Sequence, residues 1–315
     1  MILFSAKISQ KHKDALLEKY PDQSFIFSDN MNTAKAYLQE AEILVTYGED
    51  LHADLIKRAD KLKWIMVISA GMEKMPFKEI RERGIYVTNA RGIHKTPMAE
   101  YAISMLLQVL RETKTLLNNQ KEHIWDRTVR MQELKGRTML ILGTGAIGQE
   151  VARLAQAFGV TTVGVSRSGK PVTHFDENHQ TKDLESLLPH ADLVVAVLPS
   201  TKETKGLFTY DYFEQLPNHS IFLNMGRGDL VKKEDLLKAV QNNEIAHAVL
   251  DVFEEEPLPA EHPFWKEENI TITPHLSGKS RHYVRRALAI FDENLQIYQS
   301  GKDDFVNKID VSRGY

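Results

Sequence analysis

MLILGTGAIGQEVARLAQAFGV, residues 139–160, sets Gly143, Gly145 and Gly148 between an apolar run and a stretch of helical period. Glycines spaced G-x-G-x-x-G in that setting read as a dinucleotide-binding turn. The first permits the tight turn off a strand, the second lets backbone amides approach a pyrophosphate, and the third lets the helix lie close to the sheet. The helix N-terminus then presents its amides to the phosphates. Spaced glycines also occur in plain structural turns, but here Met139–Leu142 supplies the strand and Val151–Phe158 the helix that the motif requires. Gly143, Gly145, Ala146, Ile147 and Gly148 are therefore the first candidate cofactor contacts.

The next apolar run, Thr161–Val165, bears on which dinucleotide is favoured. About 20 residues past the glycines, an NAD site offers Asp or Glu to the ribose 2′-hydroxyl, whereas an NADP site offers a cation to the 2′-phosphate. This strand ends in Ser166, Arg167 and Ser168, and the first acid after them is Asp176. A guanidinium grips a phosphate through two hydrogen bonds and two hydroxyls add more, while a carboxylate would repel the dianion. NADP(H) is favoured, with NAD(H) as the alternative.

Length and composition bound the remaining choices. A chain of 315 residues fits about two domains. A net charge of −3 without a polybasic block leaves no electrostatic footprint for nucleic acid, so none is expected as a partner. The absence of cysteine removes disulfides, thiolate catalysis and Cys-ligated metals together, and agrees with a reducing cytoplasm. The apolar start MILF is too short for a signal or membrane segment, which points to a cytoplasmic protein with no membrane partner.

Short apolar runs alternate with helix-period segments along nearly the whole chain. Ile2–Phe4, Phe25–Phe27, Ile43–Tyr47, Trp64–Ser69 and Ile85–Thr88 come first. A second series follows at Met139–Leu142, Thr161–Val165, Leu193–Leu198, Ile221–Asn224, Ala248–Val252 and Ile270–Thr273. Such alternation predicts an α/β chain of two doubly wound parallel-sheet domains, with the active site expected in the cleft between them. Thr96 is a possible N-cap with Pro97 at the first helical position. Ala99, Ala102, Ile103, Leu106, Leu107 and Leu110 then form an apolar stripe, to be buried inside the chain or against a second copy. Val284, Ala287, Leu288, Phe291, Leu295 and Tyr298 mark another amphipathic helix that crosses back to the first half.

Beyond the glycine turn lie LPSTKET, NMGRGDL, AVLDVFEEEPLP and ITPHLSG, each placing polar residues just after an apolar strand, where ligands meet such sheets. With these motifs, together with SAGMEKM and TNARGIHKTPMAE, the chain resembles the D-isomer-specific 2-hydroxyacid dehydrogenase family over nearly its whole length. The resemblance implies a flavodoxin-like substrate-binding domain over residues 1–97 plus 285–315 and an NAD(P)-binding Rossmann domain over 98–284. It implies a catalytic set at Arg227 in NMGRG, Glu256 in EEEP and His275 in TPHLSG, with Asp251 near the nicotinamide end of the cofactor. Leu198, Pro199, Ser200, Thr204, Met225 and Gly226 join the implied cofactor contacts. The segment Ser69–Met72 matches the loop whose backbone amides meet the substrate carboxylate, so Ala70, Gly71 and Met72 are expected there, with Tyr47 lining the side-chain pocket. The family commonly forms homodimers through its nucleotide domains.

The chemistry explains why these types belong together. Reducing a 2-keto acid needs a cation for the carboxylate, a proton donor for the developing alkoxide and a hydride held close to the carbonyl carbon. Arg227 suits the first need because its fork keeps its charge. His275 suits the second because an imidazole both gives and takes a proton near neutral pH. Glu256 would orient that ring and support its protonated form. Taken singly, Arg227 reads as a solvated turn residue, Glu254–Glu256 as a solvated acidic run, and His275 as a turn histidine; the motif positions select them.

The expected activity is reduction of a short 2-keto acid, such as glyoxylate or hydroxypyruvate, to the D-2-hydroxy acid. Alternatives are a nucleotide-sensing corepressor and a phosphoglycerate-type dehydrogenase, for which Arg91 and Lys95 would supply cations. The formate-dehydrogenase branch typically carries Gln where this chain has Glu256. No catalytic metal is expected: His94, His123, His174, His179 and His190 show no ligand spacing and read as solvated surface residues.

Overall fold

The computed structural model describes residues 1–69, 72 and 75–312. By its internal contacts the chain divides into two compact units, Met1–Ile93 with Ser280–Tyr315, and His94–Lys279.

The first unit is built on a parallel sheet of β1 (Ile2–Phe4), β2 (Phe25–Phe27), β3 (Ile43–Thr46), β4 (Trp64–Val67) and β5 (Tyr86–Asn89), in the order β2-β1-β3-β4-β5. That is the flavodoxin-like order. Every residue of β1, β3 and β4 is buried, because helices cover both faces, so these strands read as continuous apolar runs rather than alternating ones. The helix Tyr283–Gln299 covers one face with Ala287, Leu288, Phe291 and Leu295, and Phe291 stacks on Trp64 with ring centroids 5.6 Å apart. Leu38, Ile56 and Ile80 fill the opposite face.

A second parallel sheet holds β6 (Thr138–Leu142), β7 (Thr161–Ser166), β8 (Glu177–Gln180), β9 (Leu193–Ala196), β10 (Ile221–Asn224), β11 (His247–Leu250) and β12 (Ile270–Ile272). Its order, β12-β11-β10-β9-β6-β7-β8, reverses between β6 and β9 as in a Rossmann fold. On one face the helix Lys95–Leu110 lies with the helix Ala146–Ala157, bringing Ala99, Ala102 and Leu106 together with Val151, Ala152 and Ala155. On the other, Phe222 anchors a cluster with Phe208 and Phe213, at centroid separations of 5.1 and 5.3 Å. Truncating one such buried ring costs about 3–5 kcal/mol.

Several sequence expectations need amendment. Strand β8 was not foreseen: Glu-Asn-His-Gln carries no apolar residue, and as the sheet's last strand it pairs only with β7. His94, not Thr96, stands at the N-cap position of the helix that follows, without a side-chain cap bond, and Pro97 sits within its first turn, where an amide has no intrahelical partner to lose. Most of the 99–110 stripe is buried in the unit's own core, which leaves it little surface for a second copy. Among the described residues, no helix is long and apolar enough to cross a membrane.

Candidate active site

Because β6 to β12 all run parallel, the loops that follow them emerge along one edge of the sheet. The switch point between β6 and β9 lies on that edge, beside the glycine turn. A Cβ on Gly148 would stand 1.9 Å from the Gly143 carbonyl oxygen, so helix and strand approach as closely as only glycine permits. Gly145 is the N-cap of the helix Ala146–Ala157; no side chain caps it, and a Cβ there would meet nothing within 4 Å. Exposed Ala146 and half-buried Ile147 begin the helix, whose first amides are thus open to an anion, and a dinucleotide pyrophosphate fits this cradle.

At the end of β7, Ser166 is half-buried and Arg167 and Ser168 are exposed. Ser166 Oγ accepts from Gly169 N at 3.2 Å, and Ser168 Oγ from Lys170 N at 3.3 Å, which shapes the turn behind Arg167. Asp176 is engaged at the opposite end of the strand, accepting from Thr162 N at 2.7 Å and Thr162 Oγ1 at 2.9 Å. The first acid after β7 is therefore held at the far end of the strand from Arg167, about four residues or roughly 13 Å away. Glu203, in the loop after β9, lies within the field of Arg167. Its carboxyl is held below the usual range first by a hydrogen bond with Thr201, with Arg167 adding a smaller pull.

That loop runs through Leu198, Pro199, Ser200 and Thr204 and is braced both within itself and against the turn after β10. Thr204 Oγ1 donates to the Pro199 carbonyl at 2.6 Å, and Ser200 Oγ donates to Asp229 at 2.6 Å. After β10, buried Met225 points into the core and its amide donates to the Ala196 carbonyl at 3.1 Å, leaving its backbone edge rather than its side chain for ligand contact. The buried Asn224 side chain accepts from Gly226 N at 3.1 Å and donates to the Arg227 carbonyl at 2.9 Å, fixing the turn that presents Arg227 at the surface. A Cβ on Gly228 would lie 1.9 Å from the Phe253 carbonyl carbon. The Arg227 turn and the acidic loop after β11 are thereby pressed together.

In that acidic loop Glu256 is held at both oxygens. Oε1 accepts from Phe253 N at 2.9 Å, and Oε2 lies 2.8 Å from His275 Nδ1. His275 has a φ of 48°, a left-handed conformation that costs a side-chain-bearing residue about 1–2 kcal/mol. Its amide donates to the carbonyls of Asp251 at 2.9 Å and Thr273 at 3.0 Å. The ring keeps about half its surface exposed, at 53 %. Asp251 itself is fully buried, and its carboxylate accepts from Leu276 N, Ser277 N and Thr273 Oγ1, so its described contacts all serve the turn that carries His275.

In the first unit, half-buried Tyr47 follows β3 at the carboxyl edge of its sheet, and its carbonyl accepts from Ser69 Oγ at 3.1 Å. Burial pushes the Tyr47 phenol above its ordinary value. Met72 puts its side chain into the unit's core, which limits any ligand contact to its backbone. Ala70 and Gly71 lie outside the described residues. Among the histidines read as solvated, His94 departs from that reading: it is half-buried, and its Nδ1 donates to the Gly278 carbonyl at 3.2 Å, tying the first helix of the second unit to the end of the His275 turn. Sequence reasoning also missed Asn224, whose side chain serves its own turn through Gly226 and Arg227, and Tyr101 and Thr273, whose roles depend on partners distant in the chain.

A Rossmann glycine turn and a buttressed carboxylate–imidazole pair along the same sheet edge define the class as a dinucleotide-dependent oxidoreductase. Residues 103–277 match the family described as D-isomer specific 2-hydroxyacid dehydrogenase, NAD binding domain. Glyoxylate reductase of Thermococcus litoralis is 33% identical over 283 residues, covering 86% of this chain and 85% of that protein. A D-isomer specific 2-hydroxyacid dehydrogenase family protein of Aeromonas salmonicida matches in structure with a TM-score of 0.85 and 36% identity, over 98% of this chain and 99% of that one. An NADPH-dependent glyoxylate/hydroxypyruvate reductase of Sinorhizobium meliloti, solved with NADP and sulfate, matches with a TM-score of 0.78 and 26% identity, over 100% and 99% of the two chains. The chain belongs to the D-isomer specific 2-hydroxyacid dehydrogenase family and is an NAD(P)-dependent oxidoreductase.

Proposed function

We propose that this protein is an NADPH-preferring reductase of short 2-keto acids, with glyoxylate and hydroxypyruvate as its first candidates and the D-2-hydroxy acid as product where a stereocentre forms. The observation that carries the reading is the hydrogen bond between Glu256 Oε2 and His275 Nδ1, beside the turn that presents Arg227. A carboxylate oxygen accepts, so the imidazole carries its proton on Nδ1 and turns Nε2 outward as the working atom.

When bound, the reduced nicotinamide supplies the hydride. Arg227 binds the substrate carboxylate and draws charge toward the keto oxygen. His275 gives the proton on Nε2 to the oxygen as it becomes an alkoxide, and Glu256 holds the ring through Nδ1 before and after the transfer. In the opposite direction the neutral ring accepts the hydroxyl proton. Gly143, Gly145, Ala146, Ile147 and Gly148 would hold the pyrophosphate, and Ser166, Arg167 and Ser168 the 2′-phosphate. The backbone of Leu198, Pro199, Met225 and Gly226, with Ser200 and Thr204, would line the rest of the dinucleotide, and Asp251 would stand behind the nicotinamide end. The unit formed by the first and last segments takes the substrate-binding role, with Tyr47 and the Ser69–Met72 loop. The absence of an acid at the end of β7 supports NADP(H), as does the Sinorhizobium meliloti relative named as NADPH-dependent.

The reading includes a homodimer. It rests on the helix Thr113–Lys121 and the segment after it, where Leu117, Ile124, Trp125 and Met131 are 53%, 55%, 92% and 41% exposed. The test of the activity is oxidation of NADPH and NADH in parallel against glyoxylate, hydroxypyruvate, pyruvate, phenylpyruvate and 2-ketoisocaproate. Turnover of a short keto acid with an NADPH preference is expected; no turnover with either cofactor would overturn the reading.

A further inference from the structure

The carboxylate of Asp251 is reached from outside its own loop by a chain of two hydroxyls. Thr273 Oγ1 donates to Asp251 Oδ1 at 2.5 Å, and Tyr101 Oη lies 2.7 Å from Thr273 Oγ1. The proton directions follow from chemistry. A carboxylate oxygen accepts, so the single Thr273 hydrogen points to Asp251, and Tyr101 must be the donor to Thr273. Burial raises the Tyr101 phenol above its ordinary value, so it remains a donor through the neutral range.

Asp251 then passes this order on to the His275 turn at three points. Its Oδ1 accepts from Leu276 N and its Oδ2 from Ser277 N, each at 2.9 Å, while its backbone carbonyl accepts from His275 N at 2.9 Å. The amides of His275, Leu276 and Ser277 therefore all end on one residue. That residue is fully buried, where unsatisfied polar groups are costly and satisfied networks are rigid.

We infer that Tyr101 is a positioning residue for His275, acting through Thr273 and Asp251 to hold the turn in the conformation that aims the imidazole at Glu256. Tyr101 lies on the helix Lys95–Leu110, 172 residues before Thr273, and touches neither Glu256 nor His275 in any described hydrogen bond. Its effect is transmitted by the order of protons along the chain. Without the phenol, the Thr273 hydroxyl loses its fixed acceptor role and turns between partners; Asp251 loses its oriented donor, and the three amides lose a rigid anchor.

The inference rests on His275 being the proton donor, and its test separates the two claims. Tyr101→Phe keeps the ring and removes the hydroxyl, Thr273→Val keeps the shape and removes the donor, and Thr273→Ser keeps the donor. In cofactor-free protein, the His275 ring nitrogen resonances report the Nδ1 hydrogen bond by 15N NMR; in loaded enzyme, kcat and KM report turnover. Tyr101→Phe and Thr273→Val should both move the Nδ1 signal and lower kcat by about 3- to 10-fold, the size of one hydrogen bond, with cofactor KM within about 2-fold of wild type. Thr273→Ser should restore both readouts. Unchanged ring signals and unchanged kcat in folded Tyr101→Phe and Thr273→Val would overturn the inference. Ring signals that respond as expected in a protein with no keto-acid turnover would uphold the relay and overturn the reaction instead.

Discussion

His275 Nδ1 and Glu256 Oε2 meet at 2.8 Å across 19 residues of chain, and the other oxygen of Glu256 is held at 2.9 Å by the amide of Phe253. Neither the ring nor the carboxylate turns without breaking a bond. Glu256→Gln keeps the length of the side chain and removes its charge, so kcat for keto-acid reduction should fall by about 10- to 100-fold while substrate KM changes little. His275→Ala removes the donor itself and should cost about 10²- to 10⁴-fold. Steady-state kinetics on the best substrate check both, and wild-type turnover in His275→Ala would sink the proton-donor assignment.

Arg167 stands at the end of β7 without a carboxylate beside it on the strand, Asp176 being bound to Thr162 at the other end. Replacing it should therefore affect the cofactor that carries a 2′-phosphate and spare the one that does not. Arg167→Ala is expected to raise KM for NADPH by about 10- to 100-fold and KM for NADH by less than about 3-fold, the usual scale for a charge-assisted hydrogen bond. Glu203, whose charge feels Arg167, competes weakly with a phosphate, so Glu203→Gln should lower KM for NADPH by about 2- to 5-fold. Equal effects on both cofactors would count against a phosphate clamp.

The residues legible in the sequence are those whose signal is local. Interior strands such as β4 and β9 are buried on both faces and therefore announce themselves as apolar runs, and the glycine turn carries its own steric logic at Gly148. Strand β8 has no apolar residue, so only its pairing with β7 reveals it. Arg227, Glu256 and His275 were found by motif position, since each alone reads as an ordinary surface group. Tyr101 and Thr273 were hidden for a different reason: a tyrosine on an apolar helix face and a threonine ending a strand look like packing, and their partners lie 172 and 22 residues away.

Trp125 is 92% exposed on a segment that also exposes Ile124 and Met131, an unusual amount of apolar surface to leave in water. If two copies cover it, the solution mass should be twice the chain mass of 36.0 kDa. Trp125→Glu would place a charge in the desolvated contact and shift the mass toward one chain. Sedimentation equilibrium over a range of concentrations measures this, and a wild-type monomer mass at every concentration would remove the homodimer.

His247 opens β11 and is largely buried, with Nε2 2.8 Å from Thr271 Oγ1, and burial, aided by the charge of Lys114, pulls its imidazole down to about 4. The folded protein thus prefers the neutral ring, whereas the unfolded chain protonates it below about pH 6.5. Between pH 4 and 6.5 the unfolded state binds the extra proton, so stability is full above this window and is lost as pH falls through it, by at most about 1.4 kcal/mol per pH unit from this one group. His247→Gln keeps a hydrogen-bonding side chain and removes the titration. From pH 7 to pH 5, urea unfolding should show wild type losing about 2 kcal/mol more than the variant. A parallel decline in both proteins would mean that His247 is free to protonate without unfolding the strand it opens.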